Sequence, residues 1–250
     1  VRMARYAEVS SQIMGILSAF TPVVQQLSVD EAFLDVSGTE RLFGPPLALG
    51  KELKRRVRHE TGLTISVGVA SSRYLAKIAS EWDKPDGLYA IHPGEEERFV
   101  LDLELHQLWG VGKKMLEQLN AVGITTVEEL RGFTREELSQ LIGKGTAGYL
   151  YSVCRGVDPG IYSERAAGRS VSGERTFEYD VTAIEVLDRA LLEVAHTCMF
   201  RLIDSGWSAR TVTAKLRLED FTTFTMRKTL PHPVGSAQEV YRVAKELVRT

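Results

Sequence analysis

The sequence predicts an α+β protein built from several domains, because its three stretches differ in character. Strand and helix patterns alternate up to about residue 94, helices joined by glycine turns fill residues 95–164, and the order β-α-β-β-α occupies residues 165–250. Alternating strands and helices are typical of a sheet covered by helices, whereas a stretch without strand pattern is typical of a helical domain. We therefore expect a mixed or antiparallel sheet domain, an all-α domain and an α/β domain, in that order.

The first stretch begins with an amphipathic helix over residues 1–20. Apolar side chains recur there at helical spacing, at Met3, Tyr6, Val9, Ile13 and Leu17. The remaining predicted elements are, in order, strands over 23–27 and 32–36, a helix opened by a proline pair and ended by Gly62, a strand over 63–70, a helix over 71–84 capped by Ser71 or Ser72, and a strand over 87–91.

The other two stretches are predicted from glycine turns and from alternation. Helices in 95–164 are joined by two Gly-x-Gly turns, at Gly110–Gly112 and Gly143–Gly145. A polar segment rich in breakers, 158–170, is expected to be a linker. The predicted elements after it are a strand over 170–179, a helix over 181–204, a strand pair over 209–220 and 221–230, and a final helix over 236–250.

Composition excludes several classes of protein. A content of 44% hydrophobic and 26% charged residues is that of a globular protein, and no apolar run approaches the roughly 20 residues that cross a bilayer. The two cysteines, Cys154 and Cys198, are too few for a disulfide framework, which predicts a reducing compartment. The formal net charge of −2 gives no global indication of nucleic acid, but it does not exclude a locally basic face.

Asp30 and Glu31 stand between the two predicted strands, where carboxylates are unusual. Neighbouring residues on a regular strand point to opposite faces, so two adjacent carboxylates converge only where the backbone turns. Mg²⁺ takes oxygen ligands, commonly one or two carboxylates together with substrate phosphates. The pair is therefore either a metal site at a hairpin or a solvated turn, and the pair alone does not decide between the two.

Basic residues and glycines suggest further binding sites. Gly110 and Gly112 open a helix that begins at Lys113, where free backbone amides and a lysine can meet a phosphate. A tight helical turn explains the same glycines equally well. Lys77 and Lys84 lie two helical turns apart, which suits a triphosphate or an exposed helix face. In the last stretch, cations lie on or beside the predicted strands and suit a phosphate backbone or a solvated sheet face. They are Arg169, Arg175, Arg210, Lys215, Arg217, Arg227 and Lys228.

Taken together, these motifs resemble those of one enzyme family. The stretches "QLSVDEAFLDVSG", "ISVGVASSRYLAKIASEWDKPDG", "LWGVGKKMLEQLNAVGITT" and "RSVSGERTF" resemble, in this order, the motifs of Y-family DNA polymerases. Within that family they are most similar to the bacterial DNA polymerase IV-like, DinB-type branch. The resemblance implies a palm over 1–94, a thumb over 95–164 and a little finger over 165–250.

The resemblance also implies residue roles and partners. Asp30 and Glu31 correspond to carboxylates that hold two Mg²⁺ ions, Lys84 to a lysine that contacts the incoming triphosphate, and Gly110, Gly112 and Lys113 to the thumb's grip on primer phosphates. Arg175, Arg210 and Arg217 are expected to contact primer-template DNA, and Ser28 and Lys77 to have supporting roles only. We also expect deoxynucleoside triphosphates as substrates, a sliding clamp as partner, a monomer, no membrane and a cytoplasmic location.

Two features of the family are not found in this sequence. A first strand with another metal-binding Asp, a steric gate and a fingers domain would precede residue 1, and a final strand with a clamp-binding tail would follow residue 250. We therefore expect an internal fragment that is inactive alone. The alternative is a non-catalytic, DNA-binding or repair-scaffold relative of the same fold.

Overall fold

The computed structural model describes residues 2–160 and 170–249. Contacts divide the chain into two units, 1–161 and 162–250. Residues 161–169 lie outside the described residues; they include most of the predicted linker, the predicted boundary at residue 164 and Arg169. The predicted boundary at residue 94 lies within the first unit.

The first unit begins with helix α1 (Met3–Ser18) and the hairpin of β1 (Val24–Gln26) and β2 (Ala32–Leu34). The two strands pair antiparallel, with Gln25 opposite Phe33. Helices α2 (Glu40–Phe43) and α3 (Pro46–Thr61) follow, and Gly62 ends α3 in the left-handed region, as predicted. The buried core between α1 and α3 consists of Ile16, Leu17, Phe20, Leu49, Leu53 and Val57.

Strand β3 (Val67–Val69), helix α4 (Arg73–Trp82) and strand β4 (Leu88–Ala90) form a second substructure, in which β3 and β4 pair in parallel. Ser72 caps α4 by accepting a hydrogen bond from the Leu75 amide. Helix α4 lies directly against β3, because a Cβ on Gly68 would stand 2.0 Å from the Ala76 carbonyl oxygen. The described strands of this unit therefore form one antiparallel and one parallel pair, and the predicted strand over 63–70 shortens to three residues.

The remainder of the first unit is helical, as predicted. Its elements are α5 (Glu96–Leu101), a 3₁₀ turn (Leu105–Gln107), α6 (Lys113–Ala121), α7 (Val127–Gly132), α8 (Arg135–Ile142) and α9 (Lys144–Val153). Thr126 and Thr134 form capping boxes with Glu129 and Glu137, which satisfy free amides at the starts of α7 and α8. Fully buried leucines fill the centre of this helical cluster, and they include Leu105, Leu108, Leu119, Leu130, Leu138 and Leu150.

The second unit contains α10 (Ile184–Asp204), β5 (Thr211–Arg217), β6 (Thr223–Thr229) and α11 (Ala237–Val248). Strands β5 and β6 pair antiparallel, with Lys215 opposite Thr225. Both helices contribute to one core with the inner face of the strands, formed by Leu202, Val212, Ala214, Val234, Val243 and Ala244.

The strand predicted over residues 170–179 is wrong, since the described part of this segment forms no ladder. Its backbone is engaged by α10 instead: Arg201 donates to the Ser172 carbonyl at 2.6 Å, and Gly173 lies against Val194 and Cys198. Among the described residues the order is therefore α-β-β-α. Within the same residues, no helix combines the length and the apolar character that crossing a bilayer requires.

Candidate active site

The β1–β2 hairpin places Asp30 and Glu31 in a turn, not on a strand. The Glu31 carbonyl accepts hydrogen bonds from the amides of Leu27 at 2.8 Å and Ser28 at 3.3 Å, which closes the turn. Ser28 Oγ donates to Asp30 Oδ1 at 2.6 Å. Asp30 is exposed and Glu31 is half-buried. The turn thus offers two neighbouring carboxylates of the kind that hard divalent cations bind.

Lys77 of α4 connects this turn to the helix. Its Nζ lies 2.7 Å from Glu31 Oε1 and 2.6 Å from Glu81 Oε1. Lys84 Nζ lies 2.8 Å from the same Glu81 carboxylate. Glu31, Lys77, Glu81 and Lys84 therefore form a chain of alternating charges, which we call the charge chain.

Electrostatics keep the two central members of the charge chain ionised. Burial lowers the pKa of Lys77, but hydrogen bonds to Glu31 and Glu81 outweigh it, so the pKa lies above its ordinary value. The pKa of Glu81 lies below its ordinary value. Burial acts to raise it, but the hydrogen bonds from Lys77 and Lys84 outweigh burial. Both side chains are therefore charged at neutral pH.

A cleft of about 970 Å³ extends from the charge chain to the glycine turn. Glu31, Lys77 and Glu81 line one side, and His106, Trp109, Gly110 and Gly112 contribute to the other. The carboxylate pair and the start of α6 therefore border one open space.

Gly110 occupies a position that requires glycine. Its φ is +96°, and a Cβ there would lie 2.5 Å from the hydroxyl of Tyr149, which donates a hydrogen bond to the Trp109 carbonyl. Gly112 is the N-cap of α6, and Lys113 is exposed in its first turn. The first amides of α6 therefore point out of a tight turn beside an exposed lysine.

The second predicted Gly-x-Gly turn does not repeat this geometry. Gly143 has a φ of +87° and joins α8 to α9, but Gly145 lies inside α9. One glycine is enough at this junction, because only one residue needs a positive φ.

The β5–β6 pair has one open face that carries cations and no carboxylate. The register places Thr211, Thr213, Lys215, Arg217, Thr223, Thr225, Arg227 and Thr229 on this face, and all of them are exposed. Val212 and Ala214 face the core. Lys228 also lies on the helix side, where it pairs with Glu246 at 2.8 Å.

The other two predicted arginines lie outside this open face. Arg210 precedes β5 and donates from Nε to the Leu230 carbonyl at 3.0 Å. Arg175 is exposed in the segment before α10, which pairs with no strand in the part of the chain that the structure describes.

Sequence reasoning missed Glu81, although a signal was present. Glu81 lies four residues after Lys77 and three before Lys84, which is the spacing of neighbours on a helix. Within residues 2–160 and 170–249, no group of three or more His, Cys, Asp or Glu side chains could hold a metal. The Asp30–Glu31 pair, which the sequence analysis singled out, therefore belongs to no larger group of such ligands within these residues.

Comparison with known proteins identifies the family. The impB/mucB/samB family model matches residues 1–81, the C-terminal domain model of the same family matches 169–250, and the thumb domain model of DNA polymerase iota matches 106–158. The DNA polymerase IV of Treponema denticola is 39% identical over 246 residues, covering 98% of this chain and 62% of that protein. The DNA polymerase IV of Listeria welshimeri is 36% identical over 248 residues, covering 99% and 69%.

Solved structures agree with these relatives. A Y-family DNA polymerase chimera superposes with a TM-score of 0.81 at 26% identity, covering 100% of this chain and 71% of that one. DinB from Sulfolobus solfataricus superposes with a TM-score of 0.58 at 27% identity, covering 100% and 72%. The fold is thus that of a nucleotide-polymerising class of protein. The chain belongs to the DinB-type branch of the Y-family DNA polymerases, which confirms the resemblance drawn from its motifs.

The chain spans 62% of the length of the first of these relatives and 69% of the second. This partial span is consistent with the expectation of a fragment.

Proposed function

We propose that the protein containing this chain is a template-directed, error-prone DNA polymerase of the translesion class. It would extend a primer 3′-hydroxyl with deoxynucleoside triphosphates. The observation that carries the proposal is the hairpin turn that presents Asp30 and Glu31 beside the charge chain. Solved relatives described as ternary complexes of a DNA polymerase support DNA and nucleotide as the partners.

Asp30 and Glu31 fit a divalent metal site, since both offer oxygen ligands at one exposed turn. We assign them as ligands of Mg²⁺, with two ions in the complete enzyme. When bound, such ions lower the pKa of the attacking hydroxyl and stabilise the leaving pyrophosphate. Ser28 contributes by holding one oxygen of Asp30, which orients the carboxylate.

The remaining predicted site residues are assigned to phosphates. Lys84 would meet the triphosphate, since its side chain is 51% exposed at the end of the charge chain. Gly110, Gly112 and Lys113 would bind the primer backbone through free amides and one cation. On the open face of β5–β6, Arg217 would bind DNA phosphates, and Arg210 and Arg175 would contribute from outside that face.

The domain assignment belongs to the same proposal. We assign residues 1–94 to the palm, 95–164 to the thumb and 165–250 to the little finger. The three family matches support this division, because each falls within one of the three ranges. Binding to a sliding clamp, the monomeric state and the cytoplasmic location stay predictions.

The test is primer extension by the complete protein carrying Asp30→Ala or Glu31→Gln. We expect loss of nucleotide incorporation with primer-template binding retained within a few-fold, because these carboxylates serve the metal and other residues hold DNA. Fluorescence anisotropy measures the binding. Asp102→Ala, which removes an exposed carboxylate at the end of α5, is the control. Near-normal extension by both hairpin variants would refute the assignment.

A further inference from the structure

The charge chain suggests a role for Lys77 that its sequence position alone did not reveal. The Lys77 side chain is 16% exposed, whereas Glu31 is 40% and Glu81 is 48% exposed. An ammonium group that is largely removed from water needs close anionic partners. Lys77 has two such partners, one from the hairpin turn and one from its own helix.

The helix that carries Lys77 is firmly held. Tyr74, Leu75, Ile78 and Ala79 of α4 are buried, and Gly68 brings β3 into direct contact with the helix backbone. The backbone of Lys77 is therefore fixed, and its 16% exposed side chain is held between two carboxylates, whereas the Glu31 side chain is 40% exposed. Contact with a fixed cation removes rotamer freedom from Glu31 before any ligand arrives.

We propose that Lys77 is a positioning residue of the nucleotidyl-transfer site and that Glu81 couples it to Lys84. This inference rests on the proposed function. Lys77 occupies Oε1 of Glu31 and leaves Oε2 available for a metal ion. Glu81 accepts from both lysines, so the same contact that orients the metal ligand also orients the lysine assigned to the triphosphate. Residues that contact a metal ligand without contacting the metal itself strongly affect metal affinity.

Simple electrostatics predicts the opposite effect, which makes the proposal testable. A cation beside two carboxylates repels a divalent ion, so removing its charge should strengthen metal binding if Lys77 acts through charge alone. If Lys77 positions Glu31, removal of the lysine should weaken metal binding. The metal ion must then order the Glu31 side chain itself, and the entropy lost in doing so lowers its affinity. The sign of the change therefore separates the two roles.

The first measurement is the affinity of the complete protein for Mn²⁺ alone, by electron paramagnetic resonance. We expect Lys77→Met to bind Mn²⁺ about tenfold more weakly. We expect Lys77→Arg to recover most of the affinity, because arginine keeps a cation that pairs with carboxylates. Lys51→Met removes a lysine from the exposed side of α3 and should leave the affinity unchanged. An unchanged or tighter affinity in Lys77→Met would overturn the proposal.

The second measurement separates kcat from KM in primer extension. Lys77→Met should lower kcat more than it changes the nucleotide KM, and Glu81→Gln should mainly raise that KM, because Lys84 loses its anchor. Circular dichroism checks folding. If Lys77→Met does not fold, Glu81→Gln still decides, since wild-type KM and Mn²⁺ affinity in that variant would refute the coupling.

Failure of this inference can be distinguished from failure of the proposed function. If the unaltered protein extends no primer, or if Asp30→Ala binds Mn²⁺ as the unaltered protein does, the proposed function is wrong. Suppose instead that the unaltered protein extends primers and loses Mn²⁺ affinity on Asp30→Ala. If the Lys77 and Glu81 variants then have its Mn²⁺ affinity, kcat and KM, only the positioning role is wrong.

Discussion

Tyr149 joins two parts of the helical cluster through a single hydroxyl group. Its hydroxyl donates to the carbonyl of Trp109, the residue before Gly110, and its ring meets that of Tyr74 edge-on at 6.5 Å. Burial raises the pKa of Tyr149 to about 12. The glycine turn is therefore held by a side chain from α9, 40 residues away in the sequence.

We expect Tyr149→Phe to lower the free energy of unfolding by about 1 kcal/mol, because the Trp109 carbonyl loses its donor while the ring packing is kept. Thermal unfolding by circular dichroism measures the loss. Tyr6→Phe is the control, since Tyr6 is 57% exposed on α1.

The pH dependence of the same variant provides a second check. The folded pKa of about 12 lies above the ordinary value of 10.0, so the neutral phenol stabilises the fold fully below pH 10. As pH rises from 10 towards 12, the unfolded chain ionises first and this stabilisation is lost. The stability difference between the protein and Tyr149→Phe should therefore shrink across this window. A constant difference would show that Tyr149 titrates normally.

At the scale of single residues, the sequence singled out the carboxylate pair, Lys77 and Lys84, but not the contacts that join them. Asp30 and Glu31 were identified because carboxylates interrupt a strand pattern, and that signal is local. The contact between Glu31 and Lys77 joins residues 46 positions apart, and no local pattern encodes it. Glu81 was missed even though helical spacing pointed to it, since an exposed ion pair on a helix is common.

Among the elements, α4 lies directly against β3, and Gly68 makes this approach possible. A Cβ at this position would lie 2.0 Å from the Ala76 oxygen and 2.4 Å from the Ser80 nitrogen. Both of these atoms belong to the helix backbone, which cannot move aside as a flexible side chain does. The position of Lys77 relative to the hairpin therefore depends on a glycine in the neighbouring strand.

We predict opposite effects for the same substitution at two glycines. Gly68→Ala should lower the free energy of unfolding by about 1–3 kcal/mol, because the new methyl group forces α4 away from β3. Gly15→Ala lies inside α1, where a Cβ meets nothing within 4 Å, and should raise that free energy by about 0.5–1 kcal/mol. Urea unfolding measures both. A stable Gly68→Ala protein would contradict the close approach.

Helices were predicted better than strands, for physical reasons. Proline openings, serine caps and glycine ends act locally, so α3, α4 and the final helix begin and end near the predicted residues. A strand needs a partner, and the segment 170–179 alternates but pairs with no strand among the described residues. Its Ser172 carbonyl accepts from the Arg201 side chain instead. The same dependence on partners shortens the strand predicted over 63–70 to three residues.

For the whole molecule, the formal net charge of −2 conceals an uneven distribution. The open face of β5–β6 carries Lys215, Arg217 and Arg227 among threonines and no carboxylate. A phosphate backbone meets such a face favourably, whatever the total charge. Composition does not reveal this face, whereas the register of the strand pair gathers its cations on one side.

We predict that Lys215→Glu combined with Arg217→Glu weakens DNA binding similarly for all sequences and reduces the salt dependence, because fewer counterions are released. Fluorescence anisotropy at several salt concentrations gives the slope. Arg189→Glu makes a charge reversal on the exposed side of α10 and should change the slope little. An unchanged slope in the double variant would exclude phosphate contacts on the open face.

The order of the three stretches was predictable because each has its own periodicity, and the motifs in that order indicated the family. The pairing of strands into two separate ladders in the first unit, and the cleft between the hairpin and the glycine turn, follow from contacts between distant residues. Such contacts depend on three-dimensional packing, which a single sequence does not display.

The charge chain also restricts how α4 can change during evolution. Lys77, Glu81 and Lys84 are linked through steps of four and three residues. One residue inserted between Ile78 and Ala79 would turn the preceding side chains by about 100° relative to those that follow. Lys77 would then face away from either Glu31 or Glu81, even though every charged residue of the charge chain is still present. We therefore expect the segment between Lys77 and Lys84 to tolerate substitutions better than insertions or deletions. The number of residues between the charged side chains should vary less among relatives than the residue types between them.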